Sequence, residues 1–179
     1  MELKREQLIE EIIELGGHIR VYEQHLSQPK TVVDLHGTAF TDAGLARLKL
    51  LRQVDVLDLC GTKITDTGLE HLKELPSLRS LNLEKTQVSD AGLQHISALT
   101  QLQELNLCDT HVTGDGLKHL KGLGQLEELF ICGGKLTDNN LEHLTTLSRL
   151  RKLHMCETEV TDAGVAELEK ALPNVKIER

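Results

Sequence analysis

Residues 78–101, LRSLNLEKTQVSDAGLQHISALTQ, contain two hydrophobic periods in succession. Leu81 and Leu83 alternate with polar neighbours, a pattern typical of a strand with one buried face. Leu93, Ile96 and Leu99 then follow at intervals of three residues, which places them on one face of a short helix. The stretch therefore predicts a short strand followed by a short helix.

The same pattern recurs along the chain with a period of 24 residues. The six copies occupy residues 30–53, 54–77, 78–101, 102–125, 126–149 and 150–174, and the last copy holds one additional residue. One copy alone cannot fold. Its six or so buried aliphatic side chains contribute about 2 kcal/mol each, whereas ordering the backbone costs about 1 to 2 kcal/mol for every one of its 24 residues. We therefore expect the copies to stack, with parallel strands pairing from one repeat to the next.

The composition restricts both the core and the partners. Leucine accounts for 35 of the 179 residues, and the aromatic residues are Tyr22, Phe40 and Phe130, so leucine must build the core. The net charge of -8 argues against a nucleic-acid partner, which requires an excess of Lys and Arg. No apolar run approaches 18 residues and no signal-like segment begins the chain, so we expect no membrane association and a cytoplasmic location. The four cysteines predict reduced thiols, and we expect a monomer.

The residue before each predicted helix carries a hydroxyl group. These residues are Thr41, Thr65, Ser89, Thr113, Thr137 and Thr161. Such hydroxyls favour a helix N-cap, and the aspartate that usually follows suits the positively polarised first turn, although the fourth repeat has Gly114 there. A second hydroxyl column follows each strand, at Thr38, Thr62, Thr86, Thr110 and Thr158. We expect these threonines to bond the backbone of the turn; the fifth repeat has Gly134 instead.

Both ends of the stack need a cover, because a terminal repeat leaves a hydrophobic side bare. In residues 1–29, Leu8, Ile12 and Leu15 predict a helix that ends at Gly16-Gly17, and residues 18–22 predict a strand. Residues 175–179 predict a closing strand that ends in charged residues.

The repeated pattern L-x-x-L-x-L-x-x-T-x-V-T-D-A-G-L-x-x-L-x-x-L resembles that of leucine-rich repeat proteins, of the bacterial T-D-A-G-L type. It is also similar to the repeats of F-box substrate receptors. The resemblance implies an α/β fold, a curved right-handed solenoid with a parallel sheet on the concave face and helices on the convex face, used to bind proteins. The 29 residues before the first repeat are too few for an F-box domain.

Repeat positions 3, 5 and 7 are expected to face the concave surface. On and beside this face we count seven acidic side chains and two lysines, Lys85 and Lys152, so it should favour a basic protein partner. The candidate partner-binding residues are Phe130, Asn106, His154, Glu104, Glu128, Lys152, Asn82 and Asp58.

Phe130 is the strongest of these candidates, because position 5 is polar in the other five repeats. An aromatic side chain ringed by polar groups is typical of a binding anchor. The alternative is drift at a tolerant surface position. The fifth repeat also has Gly134 for the turn threonine and Asn140 for the usual glycine, which indicates either specialisation or decay.

All four cysteines, Cys60, Cys108, Cys132 and Cys156, occupy position 7. Three of them lie on consecutive strands, which raises the possibility of a zinc site. The outer sulfurs would lie about 9 to 10 Å apart from the strand spacing alone, whereas ligands of one zinc lie within about 4 Å of one another. We therefore expect no metal and no cofactor.

The leading hypothesis is a non-enzymatic protein–protein interaction module that binds its partner through the acidic concave face. An adaptor or substrate-recognition subunit of a ubiquitin-ligase-like complex is the alternative that the F-box resemblance implies. An enzyme with a thiol or zinc site comes last, because no nucleophile stands beside a base with an orienting third group.

Overall fold

The computed structural model describes residues 2–22, 30–51 and 53–179, in which helices and strands alternate along the chain. The eight strands are β1 (His18–Tyr22), β2 (Lys30–Asp34), β3 (Val56–Asp58), β4 (Ser80–Asn82), β5 (Glu104–Asn106), β6 (Glu128–Phe130), β7 (Lys152–His154) and β8 (Lys176–Glu178). The α-helices are α1 (Glu2–Glu14), α2 (Asp42–Leu45), α3 (Asp66–Leu69), α4 (Asp90–Ile96) and α5 (Asp162–Ala171). Leu48–Leu51, Glu70–Glu74, Gly114–Leu120 and Asp138–Leu144 form 3₁₀ helices.

The strands form a single sheet in chain order, from β1 to β8. From β2 onward they pair in parallel, and each residue faces the residue 24 positions later, as in the pairings of Leu81 with Leu105 and of Leu105 with Leu129. The strand pairing thus follows the sequence period, as predicted. β1 differs, because it pairs antiparallel with β2.

The core is built from stacked aliphatic columns. Leu57, Leu105, Leu129 and Leu153 are all fully buried in the middle of their strands. Phe40, which is 1% exposed, is the large aromatic side chain of this core. Because every repeat supplies the same columns, each repeat completes the hydrophobic surface of its neighbour.

At the N-terminal end, α1 packs against the first repeat. Leu8 and Ile12 are fully buried, and Glu11 pairs with Arg47. The chain turns after the helix at Gly16, whose φ of +87° favours glycine, and enters β1. Residue 1 and residues 23–29 lie outside the described residues, so a covering role for the whole of residues 1–29 stays a prediction.

The aspartate at repeat position 13, which is Asp42 in the first repeat, has a role that the repeat pattern does not predict. Asp42 accepts hydrogen bonds from the amide of Thr65 at 3.0 Å and from its hydroxyl at 2.7 Å, so it ties one repeat to the next. The same pair of bonds joins Asp66 to Ser89, Asp90 to Thr113 and Asp138 to Thr161. The sequence places this acid in the first turn of the helix, and the structure shows that it also links consecutive repeats.

The turn threonines behave as predicted. The hydroxyl of Thr62 donates to the carbonyl oxygen of Leu59 at 2.6 Å, and the corresponding bond recurs from Thr86 to Leu83. The residue before this turn position, which is a threonine except for Gly134 in the fifth repeat, has a positive φ in every repeat. It is a glycine at positions 37, 61 and 133, but Lys85, Asp109 and Glu157 adopt the same left-handed backbone.

Candidate functional site

The solvent face of the sheet, which is the concave face of the solenoid, presents two rows of side chains. Position 3 supplies Ser80, Glu104, Glu128, Lys152 and Lys176 on adjacent strands. Position 5 supplies Asp58, Asn82, Asn106, Phe130, His154 and Glu178. The eight predicted site residues therefore lie in two adjacent rows, as the register requires.

Three of these predicted residues, Asp58, Asn82 and Asn106, also hold the backbone. The Oδ1 atom of Asp58 accepts a hydrogen bond from the amide of Cys60 at 2.9 Å. Equivalent bonds run from the amide of Glu84 to Asn82 and from the amide of Cys108 to Asn106. Since one oxygen of each side chain is already engaged, this part of the row is fixed in place before any partner binds.

Phe130 and His154 interrupt that arrangement. A phenyl ring cannot accept the amide hydrogen bond, and the amide of Cys132 donates instead to the Sγ atom of Cys108 at 3.2 Å. The amide of Cys156 donates in the same way to Cys132, also at 3.2 Å. The thiols thus replace the missing side-chain oxygens of the fifth and sixth repeats.

The two rings stack on each other. The ring centroids of Phe130 and His154 are 4.2 Å apart and their planes differ by 6°. The Nδ1 atom of His154 lies 2.9 Å from Glu178 Oε2, and this imidazole is 20% exposed. Phe130 is half-buried, so the prediction of an exposed ring is modified: one side of the ring is covered by the imidazole.

The charged residues of the position 3 row pair with their neighbours. Lys152 donates to Glu128 at 2.6 Å, and the hydroxyl of Ser80 donates to Glu104 at 3.0 Å. The hydrogen bond from Lys152 to Glu128 raises the pKa of the lysine above its usual range. Because Lys152 is matched by Glu128, the positive charge on this face is locally compensated.

A second acidic group borders this face. Lys85 donates to Glu84 at 2.8 Å, and this hydrogen bond lowers the pKa of the Glu84 carboxyl. Asn106 also donates to Glu84, at 3.2 Å. The carboxylate is therefore held toward the middle of the face.

The thiols are in their protonated form at neutral pH. Burial raises the pKa of Cys60, Cys108 and Cys132, and the pKa of Cys156 is raised mainly by the hydrogen bond of its thiol to Cys132. A nucleophilic cysteine needs the opposite shift. Among the described residues, no three His, Cys, Asp or Glu side chains converge to hold one metal ion.

Two hollows lie away from the predicted residues. One has a volume of about 330 Å³ and lies between the 3₁₀ helix Asp138–Leu144 and α5, with Leu141 and Leu168 in its lining. The other, of about 720 Å³, is lined by Arg149, Arg151 and neighbouring residues. The eight predicted site residues line neither hollow.

Glu178 was missed in the sequence analysis because it follows the last complete repeat. The pairing of Lys152 with Lys176 in β7 and β8 could have indicated it, since residues 24 apart face each other throughout the sheet. Applied to His154, this rule places residue 178 beside the imidazole.

Comparisons with known proteins agree with this architecture. The family model of leucine-rich repeats matches residues 52–112. An internalin, InlF, from Listeria monocytogenes is 26% identical with a TM-score of 0.60, over 75% of this chain and 36% of that protein. Internalin C2 from the same species is 24% identical with a TM-score of 0.61, over 82% of this chain and 69% of that one. No curated protein matches the chain.

A leucine-rich repeat protein from Leptospira interrogans is also similar, with 20% identity, a TM-score of 0.60 and coverage of 75% of this chain and 33% of the other. The chain thus spans about a third of the length of two of these three proteins. Together with the sheet, the matches define the fold as a leucine-rich repeat solenoid. Curved repeat solenoids form extended concave surfaces that are used for binding, which supports a protein-interaction module. In the described part of the chain, no helix has the length and apolar character needed to cross a membrane.

Proposed function

We propose that the protein binds a protein partner through its concave face, with Phe130 and His154 at the centre of the contact. The single observation that carries this proposal is their stacking at 4.2 Å on an otherwise polar surface. The stacked pair forms a flat apolar platform, and Glu178 fixes the orientation of its imidazole. Aromatic residues held in this way lose little side-chain freedom on binding, which is typical of the strongest contacts in interfaces.

Charge supports a basic partner. Lys85 and Lys152 are paired with Glu84 and Glu128, which leaves Glu104, on the strand next to the platform, and Asp109, at its border, as the excess of acidic groups. A partner surface rich in Lys and Arg would therefore meet a negative potential, and its association rate would rise at low ionic strength.

The other parts of the hypothesis stay within this proposal. We propose a monomer without catalytic activity, located in the cytoplasm, where the four free thiols would remain reduced. The alternative, an adaptor or substrate-recognition subunit, depends on the resemblance to F-box substrate receptors, and no feature of the described residues adds to it.

The test measures capture from a native lysate by the immobilised chain and by two variants. Phe130→Ala should weaken partner capture by about 30-fold, which corresponds to about 2 kcal/mol. Lys121→Ala, an exposed change after the 3₁₀ helix on the convex side, is the matched control and should capture as the unaltered chain does. Capture should also fall as NaCl is raised. Equal capture by the Phe130 variant would contradict the proposal.

A further inference from the structure

The cysteines that follow β5, β6 and β7 form a continuous column two residues beyond the strand ends. The strands are in register, so Cys108, Cys132 and Cys156 follow one another at the spacing of neighbouring strands, about 4.8 Å. The amide of Cys132 donates to the sulfur of Cys108, and the amide of Cys156 donates to the sulfur of Cys132. Each acceptor sulfur therefore leans toward the next cysteine.

This column has the wrong shape for zinc. Structural zinc requires four donors at the corners of a tetrahedron, whereas these cysteines follow one another across adjacent strands and no three donors among the described residues converge. A metal ion with linear two-fold coordination requires only two sulfur atoms, one on each side of it. Two metal–sulfur bonds of about 2.3 Å span about 4.6 Å, which is close to the spacing of neighbouring strands.

Thiolate ligands favour soft ions such as Cu(I). The backbone of this column already supplies the hydrogen bonds that a metal thiolate needs, since the sulfurs of Cys108 and Cys132 each accept an N–H at 3.2 Å. Such bonds from the surrounding chain stabilise negative sulfur and fix its direction. They remain available when a metal replaces the thiol proton.

We propose that the Cys108–Cys132–Cys156 column binds a soft monovalent metal ion, Cu(I), between the sulfurs of two neighbouring strands. Cys132 is the shared ligand, because it adjoins both of the other cysteines. Binding exchanges two thiol protons for one Cu(I) ion, so uptake should strengthen as the pH rises. The copper keeps its oxidation state throughout and no sulfur is oxidised.

Cys60 provides an internal control. It occupies the same repeat position, but the corresponding residues of the adjacent repeats are His36 and Glu84 rather than cysteines. Its amide donates to Asp58, as that of Cys108 does to Asn106, but Cys60 is buried and has no neighbouring thiol. Cys60→Ser should therefore leave Cu(I) binding unchanged.

The experiment titrates the reduced full-length chain, without oxygen, against Cu(I) held by the coloured chelator bicinchoninate. The unaltered chain should withdraw one Cu(I) ion, and copper X-ray absorption should show two sulfur neighbours. Cys132→Ser should lower the affinity at least tenfold, whereas Cys108→Ser and Cys156→Ser each leave one pair and should retain binding. The Cys108→Ser/Cys156→Ser double variant also breaks both pairs and provides a second test if Cys132→Ser melts at a lower temperature.

Two results would overturn the proposal. One is the absence of Cu(I) withdrawal by the unaltered chain. The other is withdrawal by the Cys132 variant and by the double variant that equals withdrawal by the unaltered chain, which would place the copper elsewhere on the chain.

Discussion

The side chain of Asn140 occupies the space that any side chain at Gly114 would need. A Cβ atom added at Gly114 would lie 2.0 Å from Asn140 Cγ. Asn140 Oδ1 accepts hydrogen bonds from the amide of Thr137 at 2.9 Å and from its hydroxyl at 2.8 Å. In other repeats an aspartate of the preceding repeat makes these bonds, and a glycine stands where Asn140 stands here. The two departures from the pattern therefore compensate each other and do not represent decay.

This compensation predicts strong coupling between the two positions. Gly114→Asp alone should collide with Asn140, and Asn140→Gly alone should leave the Thr137 groups without their acceptor. Each should cost about 1 to 3 kcal/mol of unfolding free energy. The double variant restores the arrangement of the other repeats and should recover most of the loss. Urea unfolding of all four proteins measures the coupling, and additive effects would contradict it.

The core and the concave face should respond differently to truncation. Leu105→Ala removes a fully buried side chain and should cost about 2 to 5 kcal/mol. Phe130→Ala should cost less, about 0.5 to 1.5 kcal/mol for the lost stacking on His154 beyond a modest loss of burial. Chemical denaturation of both variants tests the order, and a larger loss at Phe130 would show that this ring belongs to the core.

The sequence predicts the strand and the helix that recur in every repeat. It predicts few of the hydrogen bonds that join one repeat to the next. The strand at Leu81 and Leu83 is predictable because two buried leucines alternate with polar residues. The Asp42–Thr65 link is not, because a polar side chain at a helix start can equally face water. The simultaneous exchange at Gly114 and Asn140 is the one signal in the sequence that could have indicated the link.

The candidate site was predictable to the same extent. Register alone places Phe130 beside His154, because their positions differ by one repeat. The stacking of the two rings and the Glu178 contact depend on side-chain rotamers and on the last strand, which the repeat pattern does not specify.

Acid should weaken the link between the fifth and sixth repeats. The hydrogen bonds from Thr161 lower the pKa of Asp138 below its ordinary value of 3.8. Because the folded-state pKa is the lower one, the stabilisation is fully present well above pH 3.8 and is lost as the pH falls through the folded-state pKa. In Asp138→Asn the side chain at this position does not titrate. The variant should be less stable than the unaltered protein at neutral pH, and this difference should shrink below pH 4, as measured by the urea midpoint. A deficit independent of pH would contradict this assignment.

Replacing a left-handed turn residue with glycine should make the protein more stable. Glu157 has a φ of +57°, whereas Gly37, Gly61 and Gly133 occupy the same turn position. Glu157→Gly should stabilise the protein by up to about 1 kcal/mol, because glycine adopts this backbone without a steric cost. Glu157→Ala keeps the Cβ atom and is the matched control. The difference in thermal midpoint between the two variants reports the backbone effect, and equal midpoints would rule it out.

Because β1 runs antiparallel to β2, the two edges of the sheet differ in how a further repeat would pair with them. A further 24-residue unit pairs in parallel and in register with its neighbour, so lengthening by gene duplication or by design suits the parallel part of the sheet, from β2 onward. The antiparallel strand therefore marks the side of the sheet on which the repeat geometry is not continued.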